Sequence, residues 1–108
     1  AMKERQRNQL FNGKTLKSRI SAIRSMRNNT YHELVPELLK LVADASQPLE
    51  LRVNTAECLG WFAHTPRRAE IIDACRQAAA DKNLEKELRD ELTQTAIRLE
   101  STVSVPTR

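Results

Sequence analysis

Apolar residues recur along this chain at the three-and-four spacing of helices, and they never alternate long enough to make a strand. The densest stretch is Leu49–Phe62 (Leu-Glu-Leu-Arg-Val-Asn-Thr-Ala-Glu-Cys-Leu-Gly-Trp-Phe). On a helical wheel Leu49, Val53, Ala56 and Gly60 share one face, while Leu51, Thr55, Cys58 and Phe62 share the opposite one. A helix apolar on two faces lies between neighbours. This segment is therefore predicted to be the middle layer of a helical stack and its most buried helix. Four further helices are predicted around it. The first, about 14–27, presents Leu16, Ile20 and Ile23 as its core stripe, with Met26 beside it. The second, about 31–45, has a wide apolar face of Leu34, Val35, Leu38, Leu39, Leu41 and Val42, with Pro36 in or near the first turn. After 49–62 come a helix over about 66–80, with Ile71, Ile72, Cys75, Ala78 and Ala79 inward, and one over about 84–100, with Leu88, Leu92, Ala96 and Leu99 inward.

Turn chemistry separates these segments. Asn12-Gly13, Asn28-Asn29-Thr30, Ser46-Gln47-Pro48, Ala63–Pro66 and Asp81-Lys82-Asn83 are the breaks. Thr30 followed by Glu33 has the spacing of a capping box. Thr65 can cap the next helix with Pro66 at its first position. Residues 1–13 form a polar, basic lead-in whose only sizeable apolar pair is Leu10-Phe11, and they fit either a short helix or a frayed end. Ala1-Met2 reads as a cloning remnant, which would make the chain an excised piece of a longer protein. Residues 14–100 are the helical domain, and 101–108, with Pro106, are expected to fray.

The helices repeat. At a shift of 37, Glu33-Leu34-Val35 falls on Glu70-Ile71-Ile72, Ala43-Asp44 on Ala80-Asp81, and Glu50-Leu51-Arg52 on Glu87-Leu88-Arg89. At a shift of 33, Arg19 falls on Arg52, Ile20 on Val53 and Met26 on Leu59. The segment Leu34–Phe62 runs Leu-Val-Pro-Glu-Leu-Leu-Lys-Leu-Val-Ala-Asp, then a short break, then Leu-Arg-Val-Asn-Thr-Ala-Glu-Cys-Leu-Gly. It resembles HEAT repeats of the bacterial kind. The likeness weakens over 71–99, where Asp81 and Arg89 are kept but Ile97 stands in place of Gly, and more so over 14–27. The resemblance implies an all-α, short right-handed α-solenoid of about five antiparallel helices. It also implies a structural ladder in which Asp44 partners Arg52 and Asp81 partners Arg89. The chemistry of the residues agrees, since a turn aspartate accepts main-chain N–H groups and an arginine can fork onto a carboxylate. The helices Tyr31–Ala45 and Pro66–Ala80 would then line the inner face, exposing His32, Lys40, Arg68, Asp73 and Arg76 as candidate contacts.

Composition narrows the function classes. The chain is 40% hydrophobic and 30% charged with two glycines, and no run approaches the ~18 apolar residues of a membrane span. Cys58 and Cys75 lie in apolar helical settings and read as free buried thiols, which mildly favours a cytoplasmic address; no targeting signal is visible. His32 and His64 stand apart, without ligand spacing, so neither a metal nor a cofactor is expected. Glu85, Glu87, Asp90 and Glu91 alternate with Lys86, Arg89 and Arg98 as a solvated helical face. Gly13-Lys14-Thr15 is too short to be a phosphate loop.

Two features remain. The net charge of +4 is uneven: residues 1–30 hold eight Lys/Arg against one acid (+7), and residues 31–108 hold ten against thirteen (−3). Lys14, Lys17 and Arg24 share an outward side and could meet phosphates, though without interleaved aromatics. Trp61 falls on the polar side of its helix with Glu50, Asn54 and Glu57, the position of an interface anchor; the alternative is that it folds over the helix end onto the next loop. The expected role is a non-catalytic protein-interaction or structural module. Its partner would be another protein, a neighbouring domain, or a second copy joined through an open solenoid end. Nucleic-acid binding through the basic end is the alternative.

Overall fold

The computed structural model describes residues 1–101, which form six α-helices and a 3-10 turn; there is no strand among the described residues. The helices are α1 (Met2–Asn12), α2 (Leu16–Ser25), α3 (Val35–Ala43), preceded by the 3-10 turn His32–Leu34, α4 (Leu49–Leu59), α5 (Arg68–Ala79) and α6 (Lys86–Ser101). The expected frayed tail lies outside the described residues except for Ser101, which closes α6.

The helices pair in chain order: α1 packs on α2, α3 on α4, and α5 on α6. The later members of the pairs also pack side by side, α2 on α4 and α4 on α6, while α3 and α5 barely touch. The molecule is consequently a slab only 17 Å thick, 45 by 38 Å across. Leu51, Arg52, Thr55, Ala56, Cys58 and Leu59 of α4 are all buried, as are Gly60 and Phe62 just beyond it. The segment picked out by its two apolar faces is thus the centre of the core. Ile23 and Met26 meet it from the α2 side, Leu38 and Leu41 from α3, and Leu88, Leu92 and Leu99 from α6. Leu16 and Ile20 are only half-buried, because α2 has a helix beside it on one edge only.

The first twelve residues are an ordered helix, which makes six helices where the hydrophobic pattern suggests about five. Leu10 is fully buried, Phe11 packs half-buried against the core, and polar contacts add to them. Gln6 Nε2 donates to Ser25 Oγ (2.9 Å), Arg7 Nε to Glu37 (2.7 Å), and Lys3 pairs with Glu33 (3.7 Å). At the turn into α2, a Cβ on Gly13 would lie 2.5 Å from the Gln9 carbonyl oxygen, so the chain closes there only with glycine.

The capping expectations change. Thr30 caps nothing; Tyr31 opens the 3-10 turn, and α3 begins at Val35 with Pro36 in its first turn, so the Thr30–Glu33 box does not form. A capping box forms instead at Thr15. Its Oγ1 accepts from Ser18 N–H (3.0 Å), while Ser18 Oγ faces the Thr15 N–H (3.4 Å). Serine does the work usually read from Glu or Gln at that position. Thr65 Oγ1 accepts from Arg67 N–H (3.2 Å), but α5 starts later, at Arg68, and Pro66 belongs to the turn.

One arginine device recurs through the slab. Arg19 Nε donates to the Leu10 carbonyl (2.7 Å), Arg52 Nε to Val42 (2.8 Å) and Arg89 Nε to Leu84 (3.0 Å). Leu10 and Val42 lie in the last turns of α1 and α3, where carbonyls lack a helical partner. Two of these arginines also reach the following turn. Arg19 NH2 donates to Gln47 Oε1 (3.0 Å), and Arg52 NH1 lies 3.7 Å from Glu85. Asp44 caps its own turn through Ser46 N–H (3.0 Å) and Ser46 Oγ (2.6 Å), and Gln47 ties it towards Arg19 (3.4 Å). Asp81 does the same through Asn83 N–H (2.9 Å). Aspartate and arginine therefore brace each turn through the main chain, with no direct fork between them. The Ser46 hydroxyl and amide hold the Asp44 carboxyl below its ordinary range, and Arg52 adds a smaller pull. Arg19, Gln47 and Glu85 complete this ladder; only Arg19 carries a sequence signal, its match to Arg52.

Candidate functional site

The broad face built by α2, α4 and α6 carries the chain's only tryptophan. Trp61 follows the end of α4 and is half exposed (50%). It is nevertheless held on three sides. Its Nε1–H donates to Glu57 Oε2 (3.0 Å), the Arg27 guanidinium lies 6.0 Å from the ring centroid, and that of Arg98 lies 5.7 Å from it. Glu57 is the common anchor. It accepts from Arg27 Nε (3.0 Å) and NH2 (2.7 Å) and lies 3.8 Å from Arg98. Gly60 permits this arrangement, since a Cβ there would come within 3.1 Å of Arg98 NH1. The indole does not fold onto the next loop. It stands as a fixed platform between α2 and α6.

Charge on this face is striped. Lys17 and Arg24 are exposed one above the other on α2, and neither side chain makes a hydrogen bond or ion pair among the described residues. Glu50 and Glu57 take the same places on α4, and Glu87 and Glu91 lie on α6. Lys17 and Glu50 line one shallow depression with Leu16 and Ile20, near the starts of their helices, while Arg27 and Glu57 join the ends. The 33-residue shift that lays Arg19 on Arg52 also lays Lys17 on Glu50 and Arg24 on Glu57, so the α2 and α4 stripes are in register. Partial burial and the nearby Glu57 charge push the Glu91 carboxyl above its ordinary value.

The other sequence candidates separate into two places. His32, Lys40, Asp73 and Arg76 are exposed along the 3-10 turn, α3 and α5, away from Trp61. Arg76 is committed to Glu100 (2.5 Å), Asp73 accepts from Gln77 (3.2 Å), and Arg68 donates to the Leu99 carbonyl (2.9 Å), so the arginines here tie α5 to α6. Lys14 lies in the turn before α2, near Lys17; with Arg5 and Arg24 they are the four basic residues of the first thirty whose side chains have no bonded partner among the described residues. Of the other four, Lys3, Arg7 and Arg27 pair with acids, and Arg19 is in the ladder.

A cavity of about 220 Å³ opens where α3 and α5 part, lined mainly by Leu39, Val42, Cys75, Ala78 and Leu92, with Arg52 and Asp81 at its polar edge. Burial pushes the Cys75 thiol up to about 11 and the Cys58 thiol to about 12, which opposes thiolate chemistry at either. Among the described residues no group of three or more His, Cys, Asp or Glu side chains is placed to hold a metal, and no helix is long and apolar enough to cross a membrane.

Sequence reasoning found Trp61 and missed what fixes it. Glu57 lies four residues before Trp61, a spacing that predicts contact on a helix, and Arg98 lies 37 residues after it, at the equivalent place in the repeat. No protein-family model matches the sequence, and neither a curated protein nor a solved structure matches it.

Proposed function

We propose that the chain is a non-catalytic interaction module, a short right-handed solenoid of antiparallel helix pairs of the HEAT kind, which engages a protein through the α2–α4–α6 face. The single observation that carries this reading is Trp61. An exposed indole fixed by a hydrogen bond and two flanking guanidinium groups has already lost the rotamer freedom that binding would otherwise cost. Tryptophan and arginine are also the residues that dominate binding energy at protein interfaces. The helix pairs, the ladder arginines at matching places and the shifts of 33 and 37 support the solenoid reading. Three pairs also reach the usual minimum for a stable repeat array.

A benzophenone side chain placed at exposed Gln94 of α6 tests the assignment, with the same probe at Lys40 of α3 as control. Crosslinks to a defined protein from Gln94 and not from Lys40 are expected. Capture from Lys40 alone would move the function to the opposite face and defeat the proposal.

A second reading, nucleic-acid binding, is favoured by the unbonded Lys14, Lys17 and Arg24. Against it, Glu50 and Glu57 run alongside and would face the phosphates. Duplex binding that falls steeply with salt would support it, and absence of binding at low salt would end it.

A further inference from the structure

We infer that the partner of this face is a second copy of the same chain, in an isologous dimer that sets α2 of each copy against α4 of the other. The inference rests on the reading of this face as an interaction surface and adds the identity of its partner. The argument is one of charge and register. Lys17 and Arg24 are seven residues apart on α2, and so are Glu50 and Glu57 on α4. Each pair spans about 10 Å along its helix. The two stripes start level, at the depression shared by Lys17 and Glu50, and the 33-residue shift that lays Arg19 on Arg52 lays Lys17 on Glu50 and Arg24 on Glu57. A two-fold axis running between α2 and α4, parallel to both, exchanges the helices and preserves level along them. It brings Lys17 opposite Glu50 of the second copy, a contact made twice, and Arg24 towards its Glu57; because Glu57 already holds Arg27 and Trp61, the Lys17–Glu50 contact carries the charge match.

Trp61 lies beyond the end of α4 beside Arg27, just past the end of α2, so the same axis brings both indoles to one end of the interface. The slab face, 45 by 38 Å, has room for the ~800 Å² that each partner gives to a stable complex. A polyanion would oppose the basic stripe correctly and the acidic stripe wrongly; a second copy opposes both correctly. The contact lies on the broad face and not at an open end of the stack.

Sedimentation velocity across a wide concentration range, at low and high salt, tests this with three variants. The wild-type chain is expected to dimerise with concentration, more weakly at high salt. Lys17→Glu and Glu50→Lys each place like charges opposite one another at two points. Each should raise the dimer Kd at least about tenfold while melting like the wild type. The double variant K17E/E50K should restore dimerisation, which a merely local effect of either charge would not do. A chain monomeric at every concentration, or a dimer indifferent to both single changes, overturns the inference. If that happens while Gln94 still captures a different protein, the interaction reading stands without the dimer; if Gln94 captures nothing, both fall.

Discussion

The arginine ladder makes a graded stability prediction. Arg52 is nearly excluded from solvent (4% exposed), and its Nε–H donates at 2.8 Å to the Val42 carbonyl in the last turn of α3. Its carboxylate contact, to Glu85, is longer (3.7 Å), and Glu85 is itself exposed, so that pair contributes about 0–1 kcal/mol. The carbonyl bond is the larger effect. A hydrogen bond from a charged donor is worth roughly 1.5–3 kcal/mol, and its loss leaves a helix-end carbonyl buried without a donor. Arg52→Met keeps most of the side chain's apolar reach and removes the donor. It should cost about 2–3 kcal/mol, lowering the melting temperature of a domain this size by about 10 °C or more. Arg19 and Arg89 make the same bond but are half-buried, so water can replace the lost donor. Their methionine variants should cost about 0.5–1.5 kcal/mol. Arg52→Lys should recover little, because an ammonium cannot reproduce the guanidinium's fixed geometry. Urea denaturation of the four variants measures this series. An Arg52→Met midpoint equal to wild type, or a larger loss at Arg89 than at Arg52, would refute the reasoning.

Two further substitutions probe how α6 holds to the core. The Gly60 N–H turns back to Glu57 and Cys58, so the Ala56 carbonyl takes a donor from outside its helix: Thr95 Oγ1 of α6, at 2.7 Å. Thr95→Val keeps the shape and buries that carbonyl unpaired, at a cost of about 1–3 kcal/mol in a urea melt; wild-type stability would show that the bond is dispensable. Glu91 binds its proton more tightly in the fold than in the open chain. Its favourable contribution is therefore full below its ordinary value of 4.5 and is lost as pH rises through the raised value. Glu91→Gln should stabilise the protein at neutral pH and change little in acid, and equal midpoints at neutral pH would contradict the assignment.

Hydrophobic periodicity identified the elements whose anchoring is hydrophobic. Leu51, Cys58 and Phe62, most of the Leu34–Val42 face and the Leu88–Leu99 stripe are buried as their spacing predicts, while Leu39, Leu49 and Val53, also expected on apolar faces, are half-buried. Legibility stops where long-range polar contacts take over. Nothing near Trp61 in the sequence announces Arg27, which reaches it across the α2–α4 contact, and nothing near Thr15 marks Ser18 as a capping partner except the serine itself. Asp44 and Arg52, expected to partner each other, instead brace the turn after α3 separately. Their direct fork was not there to be read, because the serine two residues past Asp44 and the carbonyl of Val42 claim the two groups first.

The weakest sequence signal carries the largest architectural consequence. With 1–13 taken as a lead-in, the helix at 14–27 pairs with the one at 31–45, and Tyr31–Ala45 and Pro66–Ala80 become the second members of their pairs. A folded α1 shifts the pairing by one helix, so that the second members are α2, α4 and α6. The broad face of the second members then carries Trp61, while His32, Lys40, Asp73 and Arg76 lie along the 3-10 turn, α3 and α5. What holds α1 is buried Leu10, half-buried Phe11 and a set of polar ties, of which the surface pairs are individually worth at most about 1 kcal/mol. The tie that matters most is Arg19, because it binds the end of α1 and the turn after α3 with one side chain. Arg19 therefore joins the first helix pair to the second, in addition to bracing its own turn.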